Sequence, residues 1–384
     1  MISLNLPSIK ISKHEWFTII IAVILSRIVI YSLGLWGVSE FASGQYAEEP
    51  LLQTICRFDC VWFYRIIENG YDLAPQWLSQ KNAASWAFMP LQPFLGWFFS
   101  KFSVFSDPIN DARIGLIIAS NIAFLISLPM TLMALKQLNF SKSSQYAAIW
   151  LLCFSPYTVY STAGYTEPLF IALVTGVFLF SYRQQWGWVA ILGLLAAITR
   201  NLGVFLVFPV LIIAIQHYGI NNFLRFKTPC LKVMAAIWVI PLGFFTYMAY
   251  LYFHVGDALA FAHIQIAWGR QLTNPIHWLI YGFENGGAKL YLTIVSLLAF
   301  LLNIYLLTRK YYAEALFMFI CLIIPLFSSL NAMPRYAFGL YPTFLGLLLF
   351  IERYPNAKTP MLCAFSAAST FIAIGFYSHI FFTV

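Results

Sequence analysis

Four ionisable residues have types and settings that could do chemistry: Asp59 in RFDCVWFYRIIEN, Glu167 in GYTEPLF, Arg200 in AAITRNLG and Arg335 in NAMPRYAFGLYP. Read as a helix at about 100° per residue, the segment from Arg57 to Asn69 places Arg57, Tyr64 and Glu68 on one face. Asp59 falls opposite, beside Trp62, Phe63 and Ile66 at offsets of three, four and seven. A carboxylate in an apolar stripe is costly against lipid, so it has to face a protein cavity or pair with a cation. The plainer reading is an N-cap, but the residue three further on is Trp62, not the Glu or Gln of a capping box.

Glu167 stands just before Pro168, which suits the first turn of a helix, and its plain role is to complement the helix dipole. Arg200 interrupts what would otherwise be one apolar run from 187 to 215. A lone Arg in that setting pairs with an acid, Glu167 being the candidate, or binds an anion. Arg335 follows a proline at a helix start, where free N–H groups already favour an anion; its plain alternative is a solvated loop cation. His263, Trp268 and Arg270 form a looser set, and His263 reads as a surface residue before it reads as a site.

One acid and several cations match the chemistry of phosphate-linked sugar donors. Arginine clamps a phosphate bidentately and stabilises the charge that develops on it as it leaves. A single carboxylate takes the proton from an acceptor hydroxyl. One base without a closely placed second acid fits single-displacement inversion better than a covalent intermediate.

The elements that must position these groups follow from composition. The 384 residues are 61% hydrophobic and 9% charged, with a mean hydropathy of +0.78. Soluble domains carry roughly 25% charge, so a soluble enzyme, a disordered chain and a disulfide scaffold are excluded. The net charge of +8 is scattered as ones and twos between apolar runs, the pattern of orienting charges on membrane loops and not of a nucleic-acid binder. Candidate spans run over 16–38, 110–135, 145–163, 166–182, 187–199, 201–217, 233–253, 288–308, 312–329, 336–351 and 360–382. The first is too long for a signal peptide's apolar core and has no small-residue cleavage site after it, so it reads as a retained anchor.

The stretch 86–105 is apolar but broken by Pro90, Pro93 and Lys101. If it does not span, Lys10 and Lys13, Lys136 and Lys142, Arg183, Arg225 with Lys227 and Lys232, Arg309 with Lys310, and Arg353 with Lys358 share one side. If it did span, that positive-inside bias would invert. The expectation is therefore an all-α polytopic membrane protein of about eleven helices, N-terminus cytoplasmic and C-terminus outside. Two larger outer segments follow, 39–111 and 254–288, both rich in aromatics and Pro and expected to lie on the surface as short amphipathic helices. With no internal repeat and no separate soluble region, residues 1–384 read as one integral membrane domain. Asp59, Glu68, Glu167, Arg200, Asp257, His263, Arg270 and Arg335 all fall on its outer side. Cys56 and Cys60 lie four apart in a loop without a nearby His, which speaks against a metal site and permits a disulfide without requiring one.

The motifs together resemble the PIG-V-like mannosyltransferases, the family of the second mannosyltransferase of glycosylphosphatidylinositol assembly. RFDCVWFYRIIENGYD is similar to that family's R-W-D signature, and WAFMPLQPFL to its aromatic-rich F-F-P element. SPYTVYSTAGYTEPLFIAL, TRNLG and NAMPRY resemble its Tyr-Ser/Thr-Glu, R-S-N-G and M-x-R-Y elements. The matches run in family order from about residue 16 to 350. Phe58 stands for the usual Trp, Asn201 for a common Ser and Met89 for a second Phe, and the chain is shorter than eukaryotic members, which suggests a prokaryotic relative.

The resemblance implies a GT-C glycosyltransferase fold with amphipathic helices and the catalytic acid in the first outer loop. It implies inverting transfer of mannose, or a related hexose, from a polyprenyl or dolichyl phosphate carrier to a hydroxyl of a lipid-linked or glycan acceptor. Asp59 would be the base, Arg200 and Arg335 would bind the donor phosphate, and Arg57, Trp62, Glu167, Asn201, His263 and Tyr336 would contact substrate. No cofactor and no metal site are expected, although one carboxylate with a phosphate could hold Mg²⁺. The partners expected are membrane lipids, the donor and the acceptor, in a plasma membrane if prokaryotic or the endoplasmic reticulum if eukaryotic. Two other classes compete. A transporter or flippase of a lipid-linked sugar would place its polar site near the midplane, commonly with inverted repeats. A non-catalytic assembly subunit would leave Asp59, Glu167 and Arg335 far apart with no cavity between them.

Overall fold

In a computed structural model describing residues 9–78, 81–103 and 107–380, the apolar runs are helices. Six are long and apolar enough to cross a membrane: Lys13–Phe41, Pro108–Gln137, Asn201–Tyr218, Thr228–Val255, Gly287–Thr308 and Pro355–Ser378. At 1.5 Å per residue the 30-residue helix Pro108–Gln137 reaches about 45 Å, well beyond the roughly 30 Å of a hydrocarbon core. Three shorter apolar helices, Glu167–Tyr182, Trp186–Ala197 and Tyr312–Leu326, accompany them. The chain is an all-α multi-pass membrane protein. Its one small exception among the described residues is an antiparallel hairpin, Gln76–Leu78 with Lys81–Ala83.

Two expected spans are interrupted, and the reason is local. The run 145–163 is α-helical only over Lys142–Cys153; Pro156 has no N–H to continue the ladder, and a 3₁₀ turn, Thr158–Ser161, follows. The run 336–351 divides into Met333–Phe338 and Tyr341–Arg353 around Gly339 and Leu340, ahead of Pro342. The last run, 360–382, is helical over Lys358–Ser378, and its residues 381–382 lie outside the described residues. Within 86–105 the helix is Leu91–Ser100, about 15 Å long, too short to cross; residues 104–105 lie outside the described residues. It leaves Phe94, Trp97 and Phe98 exposed. In the second aromatic segment, Pro275–Asn285 exposes Ile276, Ile280 and Phe283 along one face. Both are amphipathic helices suited to a membrane interface.

The Glu167–Tyr182 helix lies at the centre. A helix apolar all round is buried all round, and here only Phe180 and Tyr182 escape full burial. It packs against Pro108–Gln137 on one side and Trp186–Ala197 on another. Its first turn, with Pro168 preset for a helix start, buries Glu167 inside the bundle.

The two ends differ in chemistry. At one, Lys136 bonds Glu15 at 2.7 Å and Lys358 bonds Ser143 at 3.0 Å, among the basic connections. At the other lie the interrupted segments and both aromatic-rich connections. There Leu91–Ser100 presses against Pro108–Gln137 through paired glycines. A Cβ on Gly115 would stand 2.1 Å from the Gly96 carbonyl oxygen, a backbone atom that cannot turn aside. Gly115→Ala should therefore cost about 1–3 kcal/mol, the usual overpacking range, read as a lower unfolding temperature in detergent. An unchanged temperature would contradict this packing.

Candidate functional site

The Asp59–Asn69 helix begins on Asp59 itself, so the carboxylate is not an N-cap; Phe58 holds that position with φ at +52°. The Met333–Phe338 helix begins in the same manner, after Ala332 at φ +63°. Neither residue is glycine, and left-handed backbone at such positions is strain that the surrounding packing must hold. Cys56 and Cys60 are joined in a disulfide whose loop encloses Asp59. Two strained helix starts thus present the two halves of one ion pair.

Arg335 Nη1 donates to Asp59 Oδ2 at 2.7 Å. Its Nε lies 3.3 Å from Glu167 Oε1, and that same oxygen accepts from Arg200 Nη1 at 2.8 Å. Arg335 and Glu167 are buried, with side-chain exposures of 6% and 7%, whereas Asp59 keeps 21%. Asp59 Oδ1 makes no hydrogen bond among the described residues. One carboxylate oxygen is held and the other is open. The Arg335 guanidinium lies 5.6 Å from the ring centres of both Tyr160 and Tyr165, contacts that favour a cation in a desolvated site. Tyr165 also fixes the start of the Asp59 helix: its hydroxyl donates to the Arg57 carbonyl at 3.1 Å and accepts from the Asp59 N–H at 3.3 Å.

A third guanidinium closes the group. Arg270 Nη1 donates to the Tyr336 hydroxyl at 3.2 Å, and the Arg200 guanidinium lies 5.0 Å from the Tyr336 ring centre. Tyr336 lies outside the six spanning helices. Burial pushes its phenol up, but Arg270, Arg335 and Arg200 outweigh that and pull it down to about 8. Next to this group stands an aromatic wall. Trp62 stacks on Phe88 with centroids 5.7 Å apart and meets Trp268 edge-on at 5.5 Å. Arg270 follows Trp268 by two residues, which ties the wall to the cations.

Of the residues singled out from sequence, Asp59, Glu167, Arg200, Arg335 and Tyr336 come together, with Trp62 one turn from Asp59. The separation expected of a non-catalytic subunit is therefore absent. Three others are placed elsewhere. Arg57 turns to Glu49, 2.5 Å away, because burial demands a counter-charge and Glu49 is the nearer acid. His263 is 66% exposed and bonds Asp257 at 2.7 Å. Asn201 opens the 3₁₀ turn after Arg200 and is exposed. Tyr160 and Tyr165 were not singled out at all. Their signal in SPYTVYSTAGYTEP is three Tyr and three Thr ahead of a buried acid, which hydropathy reads only as the end of a span.

The sequence matches no family model and no curated protein. Among solved structures, the chain is similar to ArnT from Cupriavidus metallidurans bound to undecaprenyl phosphate, at 12% identity and a TM-score of 0.49, over 92% of this chain and 63% of that one. It is also similar to the oligosaccharyltransferase AglB from Archaeoglobus fulgidus in complex with an inhibitory peptide and a dolichol-phosphate, at 12% identity and a TM-score of 0.47, over 96% and 56%. The apo form of the Archaeoglobus fulgidus oligosaccharyltransferase gives 14%, 0.49, 96% and 56%. The chain spans between 56% and 63% of the length of these proteins.

The geometry makes a test of its own. Removing one partner of a buried ion pair leaves the other charge uncompensated, a loss of about 3–5 kcal/mol, and Arg335 serves two acids. Arg335→Met should therefore unfold at a clearly lower temperature than the native chain, and adding Asp59→Asn should recover part of the loss. In a double-mutant cycle by thermal unfolding, strict additivity of the two changes would contradict the pairing.

Proposed function

We propose that this chain is an inverting glycosyltransferase of the GT-C type. It moves a hexose, mannose on the resemblance to the PIG-V-like family, from a polyprenyl- or dolichyl-phosphate carrier to a hydroxyl of a lipid-linked or glycan acceptor. The reaction takes place at the non-basic end of the bundle, on the non-cytosolic side of the membrane. The observation that carries this reading is the grouping of Asp59, Glu167, Arg200, Arg335, Arg270 and Tyr336 around one half-open carboxylate.

The charges suit the donor. Three guanidiniums against two carboxylates leave one positive charge, and a lipid-phosphate sugar is a phosphodiester carrying one negative charge. Arg335 and Arg200 are already engaged by acids, while Arg270 bonds only a phenol among the described residues, so Arg270 joins them as a phosphate ligand. In the reaction, Asp59 Oδ1 accepts the proton of the acceptor hydroxyl as its oxygen bonds to the anomeric carbon. The bond from that carbon to the phosphate oxygen breaks on the opposite face, and the lipid phosphate departs with the bonding pair. Leaving raises the phosphate's negative charge, and the guanidiniums stabilise that increase. The sugar lies against the Trp62, Phe88 and Trp268 wall, whose faces suit the apolar C–H face of a pyranose.

General-base loss typically costs 10²–10⁴-fold. With radiolabelled polyprenyl-phosphate mannose, purified Asp59→Asn should lose label transfer by about that factor while still inserting and folding, because Glu167 remains beside Arg335. Near-native transfer would remove Asp59 from the role. Label that crosses the bilayer without becoming covalently attached would point to a transporter. The Tyr336 phenol supplies a second check. Above a pH of about 8 it ionises and cancels the site's remaining positive charge, so donor KM should rise with pH through that range. Tyr336→Phe should keep a flat KM there, and an identical rise in the variant would contradict the assignment.

A further inference from the structure

Far from the candidate site, at the basic end, the Trp186–Ala197 and Thr228–Val255 helices part and leave a groove of about 690 Å³ between them. Further along, the two helices are pressed tightly together. A Cβ on Gly193 would stand 2.4 Å from Ile240, and one on Gly243 would stand 2.6 Å from the Leu194 carbonyl oxygen. Nearer the basic end, the lining carries small residues, Ala190, Ala235 and Gly187, and a Cβ on Gly187 would meet nothing within 4 Å. Glycine and alanine thus keep the helices in contact at one end and hollow out the other.

The groove is amphiphilic along its length. Its mouth holds Lys232, Gln184 and Gln185, and its walls are apolar, with Ile191 exposed. Trp188 is 55% exposed beside it, the placement of an aromatic at a membrane–water interface. The Lys232 ammonium makes no hydrogen bond or ion pair to any described residue. The stretch of sequence that supplies the groove carries charge of one sign. Between Glu167 and Asp257 the sequence contains no Asp or Glu, while Arg183, Arg200, Arg225, Lys227 and Lys232 all fall there. An unpaired ammonium at the mouth of an apolar cleft, in a stretch of chain without acids, is complementary to an anionic headgroup that carries acyl chains. Basic pockets between membrane helices take such headgroups.

The geometry points to a binding site for an anionic glycerophospholipid in this groove, its phosphate at Lys232 and its acyl chains along the Ile191 and Val239 wall. The lipid would wedge the two helices at their open end, and this site is separate from the donor carrier of the proposed reaction.

The test uses the full chain in nanodiscs of phosphatidylcholine containing a minor fraction of phosphatidylglycerol, with the lipids retained after delipidation counted by native mass spectrometry. Phosphatidylglycerol should be retained in preference to phosphatidylcholine. Lys232→Gln should lower its retention by roughly five-fold, the effect of one cation near a headgroup. Ala235→Trp, on an exposed position, should fill the groove and lower retention of both lipids without lowering the unfolding temperature measured in lipid-free detergent. Equal retention of the two lipids by the native chain, or unchanged retention in both variants, would overturn the assignment.

Discussion

A single guanidinium ties together two helix starts that lie far apart in sequence. Arg335 bonds an acid 276 positions earlier in sequence and stands beside another at the head of the central helix. Burying a charge is expensive unless it is paired and hydrogen-bonded, and the same holds for each carboxylate. Remove the cation and Asp59 loses its partner, while Glu167 keeps only Arg200. Arg335 and Tyr165 together fix the entry angle of the Asp59 helix, one through its carboxylate and the other through its first backbone N–H. The strained backbone at Phe58 and Ala332 fits this picture, since both residues sit where a helix has to start in one orientation and no other.

The central helix supplies the second constraint. Because Glu167–Tyr182 is apolar on every face, it can only be interior, and its first turn then fixes one acid inside the bundle. Everything else at that end is irregular: a 3₁₀ turn, a divided helix, a hairpin and short amphipathic helices. Irregular backbone at membrane depth is tolerated where protein buries it or where it lines a cavity. The breaks at Pro156 and Gly339 are therefore part of how the site is built, and both lie against Arg335 or its tyrosines.

Much of this was legible beforehand, and the reason is the cost of polar groups. A carboxylate in an aromatic stripe and an arginine in an apolar run each needed a partner, and Asp59, Glu167, Arg200 and Arg335 turned out to be one another's. Hydropathy located the helices for the same reason. It could not see where they stop, because a 3₁₀ turn of Thr, Val and Tyr is as apolar as the helix before it. Nor could it decide between partners: Arg57 shared a motif with Asp59, yet Glu49, eight residues back, captured it. Arg270 and Tyr336 come from segments that meet only in three dimensions, and the role of Tyr336 depends on three guanidiniums that no spacing rule relates.

The central claim is that the donor phosphate sits among the arginines, opposite the open oxygen of Asp59. A cryogenic density map of the native chain with polyprenyl phosphate bound tests it most directly. Phosphate density is expected within hydrogen-bonding reach of Arg270 and of Arg335 or Arg200, with the lipid tail leaving between the aromatic-rich segments. Phosphate density remote from all three arginines, with the site unchanged, would contradict it.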